Sequence, residues 1–89
     1  MLTREGEILK VAGPMNIDSA TALLEQSKGM LGEVKVVDLA AVTEIDSAAV
    51  SLLLEWQRQV KDTPIRFTNL PAALTSLAQL YGVADLIPQ

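Results

Sequence analysis

VKVVDLAAVTEIDSAAVSLLLEW, residues 34–56, decides how this chain folds. Its first six residues are β-branched and largely apolar, as a buried central strand should be. Residues 42–45 retain some extended character. From Ser47 the pattern changes, and a helix is expected over residues 47–61. Ala49, Val50, Leu53 and Val60 fall on one helical face, with Leu54 and Trp56 at its flanks. Ser47, Ser51, Glu55 and Arg58 fall on the other side, where Leu52 adds apolar area. That is more apolar surface than a simple surface helix needs. Two explanations stand: packing against neighbouring helices, or a protein-docking face built from Ser47, Ala48, Ser51, Leu52 and Glu55.

Outward from this stretch, strands and helices alternate. Residues 7–12 read as a strand, preceded by a short edge strand at 2–4 that turns at Glu5-Gly6. Gly13-Pro14 is expected to end the strand. Residues 16–30 read as a helix, capped by Asn16 or Asp18, with Ile17, Ala20, Leu24, Ser27 and Leu31 as its stripe and Gly29 and Gly32 at its end. Beyond the second helix, residues 62–64 make a turn and 65–68 a strand. A helix follows from Pro71 to Tyr81, with Gly82 as a left-handed stop and a short turn at 83–87 before Pro88. The order β, β, α, β, α, β, α predicts an α/β fold. Its sheet of about four strands is mainly parallel with an antiparallel edge, and its helices gather on one face.

The 89 residues suit one domain, residues 1–89, and 49% of them are hydrophobic with few aromatics, so the core is aliphatic. A net charge of −4 argues against nucleic acid and against electrostatic docking on an anionic membrane. Without cysteine or histidine, thiol nucleophiles, disulfides, the usual zinc sites and imidazole acid–base chemistry are excluded. The N-terminus lacks the apolar core of a signal peptide, and no segment approaches a membrane span. The expectation is a soluble cytoplasmic protein.

No catalytic motif emerges. There is no Ser/His/Asp set, no phosphate loop and no GxGxxG fingerprint. Glu44 and Asp46 lie two apart at the start of the second helix, where acids serve capping and the helix dipole. No third ligand follows nearby, so neither catalysis nor a metal is expected, and no cofactor is implied. Ser47 carries two readings. It or Asp46 caps the helix, worth about 1 kcal/mol. Alternatively Ser47 takes a phosphate of about −1.5 to −2 charge at the helix N-terminus, opposed by the Asp46 carboxylate.

Three stretches resemble the STAS domain family of sulfate-transporter and anti-sigma-factor-antagonist modules: VKVVDLA leading into VTEIDSAAV, then LKVAGPMNIDSATALL, and LPAALTSLAQLYGVADLIP. The family motif reads Asp, Ser or Thr, a small residue, then Gly. Asp46, Ser47 and Ala48 match, whereas Ala49 stands where Gly is usual. In anti-sigma-factor antagonists the residue matching Ser47 is a phosphoserine, so the resemblance makes Ser47 a candidate phospho-acceptor. The Ala49 methyl favours the helix and is expected to narrow kinase access.

The short chain and its LAQLYGVADLIP ending are more similar to the MlaB-type STAS subunits of Mla phospholipid ABC transporters, which maintain outer-membrane lipid asymmetry. The resemblance implies a non-catalytic cytoplasmic subunit, held at the inner membrane through its complex. Its implied partner is the MlaF-like ATPase subunit. The implied interface is Asp46, Ser47, Ala48 and Ser51, to which the docking-face reading of the helix adds Leu52 and Glu55. An anti-sigma-factor antagonist, paired with an anti-sigma-factor kinase, is the alternative. An NTP-binding STAS protein ranks third, since these residues supply no phosphate loop or base-stacking platform.

Overall fold

The computed structural model describes residues 1–60 and 64–87. Four strands form one sheet in the order β1-β2-β3-β4. Strand β1 (Leu2–Glu5) runs antiparallel to β2 (Ile8–Met15), while β3 (Val36–Ile45) lies parallel to both β2 and β4 (Arg66–Thr68). Helix α1 (Ala20–Ser27) connects β2 to β3, and α2 (Ser47–Gln59) connects β3 to β4. Helix α3 (Ala72–Leu80) and a short 3₁₀ turn (Ala84–Leu86) complete the described chain. The α/β class, the mainly parallel sheet and its antiparallel edge agree with the pattern read from the sequence.

Alternation in the strands shows which sheet face is covered. Leu9, Val11, Val37, Leu39 and Phe67 are fully buried, while their chain neighbours Ile8, Lys10 and Arg66 are exposed. A strand's side chains alternate across the sheet, so the helices gather over the first set. Helix α2 lies in the middle of that layer, with α1 on one side and α3 on the other. It buries Ala49, Val50, Leu52, Leu53 and Trp56. Being flanked on both sides explains why its apolar surface is wider than one stripe.

Three expectations are corrected. Gly13-Pro14 does not end β2, which continues to Met15. Register shifts between Lys10 and Ala12 and between Gly13 and Pro14 absorb these residues. Gly13 adopts φ +88°, which favours glycine, and proline is tolerated in a strand at such irregularities. Strand β3 does not stop at Leu39 but runs to Ile45, because the prolonged β2 pairs with it as far as Met15 opposite Ile45. Helix α1 begins at Ala20 rather than Asn16. The Asn16 side-chain oxygen accepts from the backbone N–H groups of Asp18 and Ser19 at 3.0 and 3.1 Å, which folds residues 16–19 into a turn first.

That delay shifts the buried stripe. Leu23 and Ser27 face inward, whereas Ile17 is 73% exposed. Helix α2 ends at Gln59; Lys61, Asp62, Thr63 and Pro88, where a last helical residue, part of a turn and the final proline are expected, lie outside the described residues.

Two polar links, one buried and one half-buried, hold α2 in place. The Trp56 indole N–H donates to Ser27 Oγ at 2.8 Å, and Ser27 Oγ donates to the Leu24 carbonyl at 2.7 Å. Both side chains are fully buried, so the pair ties α1 to α2 and satisfies each polar atom. The Gln57 side chain donates to the Ile65 carbonyl and accepts from its N–H, at 3.0 and 2.7 Å. This gives β4 a fixed seat against α2.

Candidate functional site

Parallel pairing brings the C-terminal ends of β2 and β3 out side by side, with Pro14 opposite Glu44 and Met15 opposite Ile45. The segment leading into α1 and the start of α2 therefore emerge next to each other. In open α/β sheets this end of the strands is where ligands bind.

Asp46 joins the two segments. Its backbone is extended, at φ −143° and ψ −167°, and one carboxylate oxygen accepts from the Ala48 N–H at 2.8 Å. The other oxygen accepts from the Ile17 N–H at 2.9 Å. Asp46 is thus the cap of α2, and it also pins the turn before α1. Glu44, two residues earlier, accepts instead from the Asn16 amide at 3.4 Å. The two carboxylates are engaged with different groups and do not converge on a shared site.

Ser47 is the first residue of α2 and is exposed. Among the described residues its hydroxyl makes no hydrogen bond. The backbone N–H groups that a phosphate on Ser47 would seek are partly taken. Ala48 N–H donates to the Asp46 side chain and Ala49 N–H to the Asp46 carbonyl at 3.0 Å. The Ala49 side chain points into the core with no exposed surface. Its methyl therefore does not narrow access to Ser47, and that expectation is corrected.

Beside this helix start runs an open groove of about 440 Å³ between α1 and α2. One wall is Ser47, Ala48, Ser51, Leu52 and Glu55, which are five of the six interface candidates. Asp46 stands at its end, holding both walls. Ser47 and Ser51 are exposed, Ala48 and Glu55 are half-buried, and Leu52 is buried at the base with 4% of its surface accessible. The opposite wall is Ile17, Ala20, Thr21 and Leu24, none of which the sequence assigns to a site. The available signal was Ile17, an apolar residue that becomes exposed once Asn16 turns the chain ahead of the helix.

At the other end of the shared strand pair, Asp38 accepts from Asn69 Nδ2 and from the Ala40 N–H, each at 3.0 Å. The Asn69 bond first, and the Ala40 bond second, hold its carboxyl below the usual range. This pair lies outside the groove and braces the turn after β4. No described helix is long and apolar enough to cross a membrane.

The family model described as "Mlab, STAS domain" matches residues 2–88. A search of curated proteins finds no match. Among solved structures, the chain is similar to Mglu, with a TM-score of 0.59 and 23% identity over 81% of this chain, and it spans only 20% of that one. It is also similar to the anti-sigma factor antagonist SpoIIAA in its unphosphorylated form, with a TM-score of 0.63 and 15% identity, covering 90% of this chain and 81% of that one. At such identities the likeness is one of fold.

Proposed function

The chain belongs to the MlaB-type STAS domain family, and on that premise we propose that it is a non-catalytic subunit that binds and stabilises the ATPase of an Mla-type phospholipid ABC transporter. The partner is MlaF-like, and the contact surface is the α1–α2 groove with Asp46, Ser47, Ala48, Ser51, Leu52 and Glu55. In this reading the protein works in the cytoplasm at the inner membrane, through its complex, as a single domain.

Support comes chiefly from the groove. Five of the six interface candidates line one open depression, and the Asp46 carboxylate holds its two walls together. Small side chains along that wall allow close approach by another protein. Co-expression with an MlaF-like ATPase tests the reading. The two should co-purify, and Ser47→Arg, which fills the groove from an exposed position, should abolish association.

One observation favours a second reading, an anti-sigma-factor antagonist switched at Ser47: the hydroxyl is exposed and unbonded, as a kinase substrate must be. Incubation with a cognate kinase and ATP would then add one phosphate to Ser47 by mass spectrometry. Absence of modification in the presence of that kinase sinks this alternative.

A further inference from the structure

The groove's charges say what kind of segment it takes. Its base is apolar, built from Leu24, Leu52, Ala20 and Ala48, and Ile17 stands exposed on its rim. Glu55 lines the α2 wall, while the exposed Glu44 accepts from Asn16 near the end where Asp46 joins the helices. Among the described residues no Lys or Arg lines it. Arg58 pairs with Glu55 at 3.1 Å in an exposed contact, which a partner's cation can replace at little cost.

We infer that the groove receives an amphipathic helix of the ATPase partner, presenting a bulky apolar side chain between Lys or Arg residues; this rests on the ATPase-binding reading above. A helix fits because both walls are helices and offer no free strand edge. An extended peptide would leave its own N–H and C=O groups without partners over an apolar base, whereas a helix satisfies them internally. Basic flanks fit because the charged groups at the groove, Glu44, Asp46 and Glu55 against Arg58, are acidic on balance, and opposite charges at a rim steer association. A second copy of this chain, with its net charge of −4, would bring like charge to that rim.

The test measures association of the full chain with an MlaF-like ATPase by biolayer interferometry at several salt concentrations. Affinity of the parent chain should fall about tenfold or more between low and high salt, because exposed charges are screened. Glu44→Lys with Glu55→Lys should lower the on-rate about tenfold at low salt and flatten the salt dependence, as rim charges do. Arg58→Glu, a surface change that adds to the acidic rim, should raise the on-rate severalfold.

Ser51→Cys gives a single thiol in a chain with no cysteine. Its cross-links to cysteines placed along the partner segment should recur every three to four residues, the helical period. Cross-links at alternate residues would mean an extended segment and overturn the inference. If Ser47→Arg abolishes binding while salt and the charge reversals leave it unchanged, the groove is the interface but its partner is not basic, and the inference fails alone. If Ser47→Arg also has no effect, the underlying reading fails with it. Self-association of the isolated chain that Ser47→Arg dissolves would assign the groove to a second copy and likewise overturn it.

Discussion

Replacing Asp46 tests how the groove is built. In Asp46→Ala both hydrogen bonds of the carboxylate are lost, to Ala48 N–H at 2.8 Å and to Ile17 N–H at 2.9 Å. Loss of an N-cap costs about 1 kcal/mol. The second bond, on a half-buried carboxylate, adds about 1 kcal/mol more. Together they amount to about 2 kcal/mol, or a fall in Tm of about 8–16 °C for a domain of this size. Asp46→Asn keeps only one acceptor oxygen, and Asp46→Ser keeps only the short reach to the cap. Each should therefore lose about half as much. Urea denaturation followed through Trp56 emission measures these differences. Amide exchange should quicken at Ile17 to Ala20 in Asp46→Ser while Leu53 stays protected. If Asp46→Ala lies within about 0.5 kcal/mol of the parent chain, or if all three variants are equal, the carboxylate does not bridge the two helices.

Other expectations follow from particular contacts. Ser27→Ala removes the acceptor of the buried Trp56 N–H and should cost about 2 kcal/mol in urea denaturation, the penalty of an unsatisfied buried donor; a neutral outcome would mean the indole finds another partner. Ala49→Gly loses a buried methyl and helix propensity, so stability should drop by about 1.5–2 kcal/mol. Binding to the ATPase should be unchanged, since that methyl faces the core; weakened binding in the folded variant would place it at the interface. Asn69 has φ +56°, so Asn69→Gly preserves the backbone and deletes only the amide that chiefly lowers the Asp38 carboxyl. By NMR titration that carboxyl should move up towards its usual range. Because its folded value is depressed, its stabilisation is present above the unfolded value near 3.9 and is lost as pH falls through the folded one. Acid destabilisation should accordingly be shallower in Asn69→Gly, and an unmoved titration would contradict the assigned cause.

Local pattern made most of the fold legible. The β-branched run of β3 and the apolar face of α2 follow directly from residue type and period. Details set by distant partners were not legible. Ile17 has the spacing of a core residue, but Asn16 closes a turn first and the helix starts at Ala20. Strand β3 continues past Leu39 because β2 bulges at Gly13-Pro14 and keeps pairing with it. The Trp56–Ser27 link and the Asp46–Ile17 bond each span 29 residues, beyond any periodicity. For the site, spacing left Asp46 and Ser47 as equal candidates for the cap. Geometry assigns it to Asp46 and leaves Ser47 exposed. The α1 wall of the groove carried no motif, since Ala20, Thr21 and Leu24 are ordinary helix residues until α2 packs beside them.

The decisive measurement is association between this chain and the proposed MlaF-like ATPase, made for the parent and for Ser47→Arg. Circular dichroism should first confirm that the variant retains the parent fold. The parent should co-purify with the ATPase as a stable complex, and Ser47→Arg should not. A parent chain that fails to bind, or a folded Ser47→Arg that binds with undiminished affinity, refutes the proposed interface.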